Sequence, residues 1–504
     1  MKRNIVKSIL LSAAAMLSVS CADWLSATPP SQIPAEDHYS SVTGFQQTLT
    51  GCYIAMTESN LYGRSFSWLM PEILGHQFFP YAALYSSNQA EYYMQQYEYA
   101  RPSSKTVIDE MWAAAYSVIV NANDALEHID EKRSELTTTD YSIIKGELLA
   151  IRAYVHFDLA RMYGYGAWAS RKGEVDAKYA VPYVTTVNKE LTPQMTMANF
   201  FKKLTADLNE AAALLKAEDP ITGEHDWEYY DEVNSDGYYD YRNLHLNYYA
   251  VRALQARVYM WEGSAESKAL ALAAAEEVIG GFFESSGVAG PTNTWRWMDS
   301  GDQSQYQSMV FEQLFGIFVS DMSDLLQTHI IEEYWPTDYA ALYLTSDDMT
   351  AIYENNPTDW RSQQWFHKNS LVTDGYTCTK LNMRNRSYSN FNNRVPMIRM
   401  PELYYIAAEC CVTGPTPDLA KAMEYLNTVR EHRSIYEPLE NLDADEIVAE
   451  IAKEYRKEYI LEGVMFYYYK RTGATEIPYF EGEVSDAQYV LPYPDFELQQ
   501  GRIQ

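Results

Sequence analysis

Apolar positions recur at spacings of three and four over most of this chain, the pattern of α-helices that bury one face. The spacing predicts helices over 105–129 and 143–163; in the second, Leu148, Arg152, Val155, Leu159 and Met162 share a face and Gly164 stops the run. Helices over 200–215, 246–261 and 269–279 follow. The stripe of Val251, Leu254, Val258 and Trp261 ends at Gly263, and the third of these helices ends at Gly280-Gly281. Towards the C-terminus the pattern predicts helices over 401–412 and 419–432 and one long helix over 445–471, ending at Gly473.

Three of these helices echo one another. Ala150-Ile151-Arg152-Ala153 opens one, Ala250-Val251-Arg252-Ala253 opens another, and Glu402-Leu403-Tyr404-Tyr405-Ile406-Ala407-Ala408-Glu409 is a looser third. Small residues at fixed places on paired helices allow close packing, as in stacked tetratricopeptide hairpins. The fold expected is mainly α: a tetratricopeptide-like helical-hairpin scaffold carrying a large irregular, loop-rich half with short β-hairpins.

Two stretches break the helical pattern. Residues 229–241 place Ser235-Asp236-Gly237 between aromatic flanks, which predicts a β-hairpin with an Asp-Gly turn. Its acids, Asp226, Glu228, Asp231, Glu232, Asp236 and Asp240, lack the regular spacing of an EF-hand calcium loop and read as a solvated face. Residues 282–394 are rich in Gly, Asn, Asp and Ser, with a helical stripe only over 309–318, and hold Trp295, Trp297, Trp335, Trp360 and Trp365. A connection this long inside a compact protein is usually functional or a subdomain.

The N-terminus has a different chemistry. Lys2, Arg3 and Lys7 precede an apolar run from Ile9 to Val19, and small residues then lead to Cys21. This is the layout of a secretory signal, and the run is shorter than the ~20 residues a membrane-spanning helix needs. Leu17-Ser18-Val19-Ser20-Cys21 resembles a bacterial lipobox, which makes Cys21 the lipidated first residue of the mature protein. The expected organisation is a signal peptide over 1–20, a lipid-anchored leader over 21–40 and a single unit over 41–504. Within that unit the helical scaffold takes 41–281 and 395–473, the loop-rich ligand-facing part 282–394 and a tail 474–504.

Removal of the signal leaves 36 Lys and Arg against 69 Asp and Glu, a formal charge of −33. Such a surface repels a phosphate backbone and anionic lipid headgroups, so nucleic acid is excluded as a partner and the acyl chain is left as the membrane attachment. Beyond Cys21 the cysteines are Cys52, Cys378, Cys410 and Cys411, without CxxC or Cys/His ligand spacing; they read as core residues, with no metal or cofactor implied. HExxH, GxSxG, P-loop and dinucleotide-binding motifs are also missing. Glu458 and Glu462 would lie on one face of the long helix, where a structural role is expected.

The composition suits binding. Aromatic residues make up 14% of the chain, and tyrosine alone counts 43. The apolar C–H face of a sugar ring rests on an indole or phenol ring, while its hydroxyls need amide, carboxylate or guanidinium partners at the edge. Two predicted loop clusters supply that pairing: Phe78, Phe79 and Tyr81 through Tyr85, Asn88 and Gln89; and Asn293, Trp295, Arg296 and Trp297 with Asp299 and Asp302.

Several motifs together resemble the RagB/SusD family of Bacteroidetes surface lipoproteins. Cys21-Ala22-Asp23-Trp24-Leu25 with Pro29 is similar to the family's opening, and the helix from Ile151 through Arg152, His156, Asp158 and Arg161 to Gly164 to its most recognisable segment. Tyr249 to Tyr259, Ala422 to Arg430, Arg456 to Gly463 running on to Gly473, and Leu491-Pro492-Tyr493-Pro494 resemble later family motifs in the family's order. The usual Asn-Pro-Gly-Tyr ending is absent, and Tyr467 to Tyr469 replace a common Arg and Asp.

The resemblance implies a non-enzymatic lipoprotein on the outer face of the outer membrane. Such a protein captures an oligosaccharide and closes as a lid on a SusC-like TonB-dependent transporter that imports it. The same role with peptide or glycoprotein cargo, a surface glycoside hydrolase of helical architecture, and an adhesive surface protein are the alternatives. Ligand-facing loops vary within the family, so the resemblance assigns none of the aromatic residues above.

Overall fold

Thr137 accepts a hydrogen bond from the Asp140 amide (3.0 Å) and so starts the helix at the centre of the molecule. The computed structural model describes residues 34–78, 89–222, 227–285, 295–303, 306, 308–330, 342–369, 373–382, 392–501 and 503. Its principal helices are α1 (Val42–Met56), α2 (Pro102–Ile129), α3 (Thr138–Tyr163), α4 (Met197–Glu218), α5 (Tyr248–Glu262), α6 (Ala265–Ser285), α7 (Met322–His329), α8 (Met400–Thr413), α9 (Leu419–His432), α10 (Ala444–Glu458) and α11 (Val464–Thr472). Helix α3 packs between α2 and α4, α5 pairs with α6, and α6 leads across α8 to α9 and α10.

From Thr139 to Tyr163 almost every residue of α3 is buried, because neighbours cover it on all sides. The echo between helices has a physical basis. Arg152 makes a bidentate pair with Asp207 on α4 (2.7 and 2.8 Å), and Arg252, its counterpart on α5, reaches Glu277 on α6 (2.8 Å). Ala150, Ala153, Ala250 and Ala253 are buried beside them, where small side chains let the helices approach. In the third echo Glu402 holds Arg257 of α5 (2.7 Å) and Glu409 holds Arg471 of α11 (2.7 Å).

Among the described residues, four short strands complete the order. β1 (Gln313–Phe318) pairs antiparallel with β4 (Arg394–Arg399), and β2 (Phe366–Lys368) with β3 (Tyr376–Cys378). The structure corrects several expectations here. Residues 309–318 form a short 3-10 turn followed by β1: Phe315, Ile317 and Phe318 favour a strand, and β4 supplies the backbone partners. Helix α6 runs through Gly280-Gly281 to Ser285.

The hairpin predicted over 229–241 is absent. Trp227–Val233 is a helix, and Gly237 turns the chain with φ +74°. Tyr238 donates to the Gln46 carbonyl (2.9 Å) and Tyr239 to Asp140, so these rings pack onto α1 and α3 and leave no paired strands. No group of carboxylates among the described residues is arranged to hold a metal ion. The four described cysteines are buried thiols, as expected of core residues. The described residues ahead of Ser41 include a helical turn at Ala35–His38 and a fully buried Tyr39.

The long C-terminal helix is broken. Leu461 (φ 64°) and Gly463 (φ +70°) occupy left-handed backbone between α10 and α11, and a Cβ at Gly463 would collide with the Ser67 carbonyl. The Gly463 amide donates to Glu72 (2.6 Å). The break drives Glu458 and Glu462 inward. Glu458 receives Arg361 (3.0 Å), Arg399 (2.7 Å) and Arg433 (2.9 Å), while Glu462 receives Arg399 (2.8 Å) and Lys380. Glu312 joins through Arg433 (2.7 Å), and Glu454 and Asp359 through Arg361 (3.0 and 2.8 Å). This buried knot ties the C-terminal helices to the 295–399 region, so the expected structural role of Glu458 and Glu462 holds, in a turn and not along one helix face.

Glu72 gives a pH prediction. Burial pushes its carboxyl up to about 7, against the opposing pull of the Gly463 and Leu461 amides. The folded-state value lies above that of the unfolded chain, so between about pH 4.5 and 7 the unfolded state releases this proton first and stability falls as pH rises. Glu72→Gln keeps an acceptor for the Gly463 amide and cannot ionise. It is expected to match the parent near pH 4.5 and to exceed it by a few kcal/mol at pH 8. Urea unfolding at both pH values checks this, and an equal difference at both would refute it.

Candidate ligand-binding surface

The described residues that flank segments 79–88, 331–341 and 383–391 meet around α7. The Val319 amide donates to the Asn393 carbonyl (2.8 Å) and Asn393 Nδ2 to the Ser320 carbonyl (3.2 Å), just ahead of α7. At the other end of α7, His329 lies 3.6 Å from Glu91 and 6.1 Å, ring to ring, from Trp68. Burial pushes the His329 imidazole down to about 4, so it is neutral at physiological pH and its contact with Glu91 is not an ion pair there. Of the first aromatic cluster, Phe78 is buried at its root; Phe79, Tyr81, Tyr85 and Asn88 lie outside the described residues.

The second cluster is anchored on β1, a different element. Trp295 is only 2% exposed: its indole N–H donates to the Gln313 carbonyl (2.9 Å) and its ring meets Tyr249 edge-on. It belongs to the core, which corrects its expected place on a ligand platform. The Arg296 amide donates to the Phe311 carbonyl (3.0 Å), and its guanidinium lies over the Phe311 ring and grips Asp302 (2.5 and 2.6 Å). Asp299 and Asp302 accept each other's backbone amides, which fixes the turn. Asn293 lies outside the described residues.

Trp297 is half-buried. One face of its indole stacks on His432 at 4.4 Å and 14°, Tyr404 closes one side at 5.4 Å, and Arg433 stands 5.6 Å away. Burial, helped by Arg433, pushes the His432 imidazole down to about 4, so the stack is a neutral pair at physiological pH. The outward chemistry is therefore the exposed Arg296 guanidinium, the Asp299 carboxylate, the remaining Trp297 surface and half-buried Tyr306. Such a patch offers a planar cation, acceptors and aromatic surface within one turn.

Two other tryptophans are structural. Trp360 donates to the His432 carbonyl (3.0 Å), and Trp365 donates to Gln303 (3.1 Å) with Lys380 over its ring. Both are buried, and Trp335 lies outside the described residues. The sequence did not single out Tyr436, which is 73% exposed in the turn after α9, four residues beyond His432. Its placement after a helix end, beside charged residues, was the available signal.

Two family models match this chain: one described as "Starch-binding associating with outer membrane" over residues 23–222, and one described as "SusD family" over 290–496. The chain belongs to the RagB/SusD family. No curated protein matches it. Among solved structures, a SusD superfamily protein of Bacteroides thetaiotaomicron is similar at TM-score 0.69 and 20% identity, covering 92% of this chain and 99% of the other. A SusD-like carbohydrate binding protein of Bacteroides vulgatus has TM-score 0.67 and 17% identity, covering 91% and 96%. A SusD superfamily protein of Bacteroides fragilis has TM-score 0.65 and 20% identity, covering 92% and 98%. At such identities the likeness establishes the SusD-like helical fold. The second family match contains Trp297, His432 and the buried knot around Glu458. Among the described residues no helix is long and apolar enough to cross a membrane.

Proposed function

We propose that this SusD-family chain is a cell-surface lipoprotein, held to the outer membrane by a lipid on Cys21, that captures an oligosaccharide and passes it to a SusC-like TonB-dependent transporter. The observation that carries the binding part is the Trp297 patch. A half-buried indole fixed from behind by His432, with Arg296, Asp299 and Tyr306 beside it, suits a sugar ring and its hydroxyls. Asn293, Phe79, Tyr81, Tyr85 and Asn88 remain proposed contributors, and exposed Tyr436 is added to them. The similar SusD-like carbohydrate binding protein of Bacteroides vulgatus supports the same ligand class.

The role is binding without catalysis. Glu458 and Glu462, the carboxylates that a helical hydrolase would offer first, are committed to buried ion pairs. Titrating the mature protein with oligosaccharide and peptide panels tests the reading: saturable glycan binding with no released product is expected. A product appearing in a time course, or saturable binding of peptides alone, would overturn it. Cys21→Ala is expected to move the protein out of the membrane fraction while leaving its glycan affinity unchanged; retention in that fraction would refute the anchor.

A further inference from the structure

A groove of about 660 Å³ lies far along the chain from the Trp297 patch. Trp112, Tyr116 and Val120 of α2 form its floor, Val187 and Leu191 of an irregular segment form one wall, and Phe496 near the C-terminus forms the other. Val120 is 41% exposed, Val187 39%, Leu191 57% and Phe496 56%. Single exposed apolar side chains are ordinary, but four around one groove mark a docking surface. The groove is preformed: Tyr116 donates to the Pro182 carbonyl (2.8 Å), and the Val187 amide donates to Glu127 of α2 (2.6 Å).

The path of the chain points to an occupant. Trp112, Tyr116, Val120, Asp124 and His128 stand four residues apart and make one row along α2. Tyr39, just after the helical turn Ala35–His38, donates to Asp124 (2.6 Å) and stacks on His128 at 4.7 Å. The first described residue, Pro34, therefore enters beside the row that floors the groove. Residues 24–33, Trp-Leu-Ser-Ala-Thr-Pro-Pro-Ser-Gln-Ile, carry no charge and begin with two large apolar side chains. At about 3.1 Å per residue in the extended form that Pro29-Pro30 favours, they reach about 30 Å. The row from Asp124 back to Trp112 needs only about 18 Å. A second copy would instead press two strongly acidic surfaces together.

We propose that residues 24–33 run back along α2 and seat Trp24 and Leu25 in this groove. Cys21, three residues before Trp24, then leaves the body at the Trp112 and Phe496 end. Where Cys21 carries a lipid, as in the function proposed above, the tether pulls from that one point. The docking itself requires neither lipid nor glycan, so its test stands apart from that reading.

The experiment compares backbone hydrogen exchange in the unlipidated chain beginning at Ala22 with that in its Trp24→Ala/Leu25→Ala variant. Amides of the irregular segment 184–192 are expected to exchange at least about five-fold faster in the variant, because the seated segment shields them. Leu191→Asp, at an exposed wall position, is expected to give the same acceleration with an unchanged melting temperature. Equal exchange in parent and variant overturns the proposal. Protection that depends on protein concentration, with a dimer in sedimentation, assigns the groove to a second copy and also overturns it.

Discussion

Glu458→Ala is expected to cost about 3–5 kcal/mol, enough to leave much of the protein unfolded or aggregated on expression. The carboxylate sits among three fully buried guanidiniums, with Arg399 at 2.7 Å, Arg433 at 2.9 Å and Arg361 at 3.0 Å. Burial alone would push the Glu458 carboxyl up, but Arg433, Arg399 and Arg361 outweigh it and hold it well below the usual carboxylate range. Alanine removes the one group that all three share. Glu312, Glu454, Asp359 and Glu462 cannot follow, because each is fixed by other partners. Glu458→Gln keeps the shape and one acceptor, so a smaller loss is expected. Chemical denaturation of both variants checks this; an alanine variant with the parent's midpoint would refute the account.

Buried ion pairs also set the acid limit, among them a second cluster in which Glu147 of α3 meets Arg242 (2.5 Å) and His245 (2.9 Å). Arg242 and His245 hold Glu147 at about 2 against burial, and Arg361 with Lys457 and Arg430 does the same for Glu454. These folded-state values lie below those of the unfolded chain. The stability they supply is therefore complete above about pH 4.5 and drains away as pH falls towards 2. Glu72 acts in the opposite direction over the range just above.

The scaffold was legible in the sequence because each hairpin carries its own signal. A period near 3.6, paired small residues and an arginine aimed at the next helix are all local features, and Arg152 and Arg252 behave alike for that reason. The break at 459–463 was not legible, since the local pattern continues across it. What imposes it is distant: the Ser67 carbonyl, Glu72 and the arginines at 361, 399 and 433. The Asp-Gly signal at 236–237 failed similarly. A turn does form there, but Tyr238 and Tyr239 find better partners on α1 and α3 than on each other. At the candidate surface, residues 295–299 differ in burial: Trp295 and Met298 are buried, Trp297 is half-buried, and Arg296 and Asp299 are exposed. Composition marked both tryptophans as platforms. How far each ring is covered is set by distant partners, the Gln313 carbonyl and Tyr249 for Trp295 and His432 for Trp297.

That difference in burial predicts a sharp contrast between the two tryptophans. Trp295→Ala removes a buried indole wedged against Tyr249 and tied to the Gln313 carbonyl, and is expected to destabilise the fold by about 3–5 kcal/mol. Trp297→Ala removes a half-buried ring whose stacking partner, His432, remains held by α9. Its stability cost should be smaller, while glycan affinity falls at least about ten-fold if the indole is a sugar platform. Melting curves and titrations on both variants check the pair. Equal melting temperatures for Trp295→Ala and the parent would return Trp295 to the surface. Unchanged affinity in Trp297→Ala would remove the indole as the sugar platform and make Phe79 and Tyr81 the next residues to test.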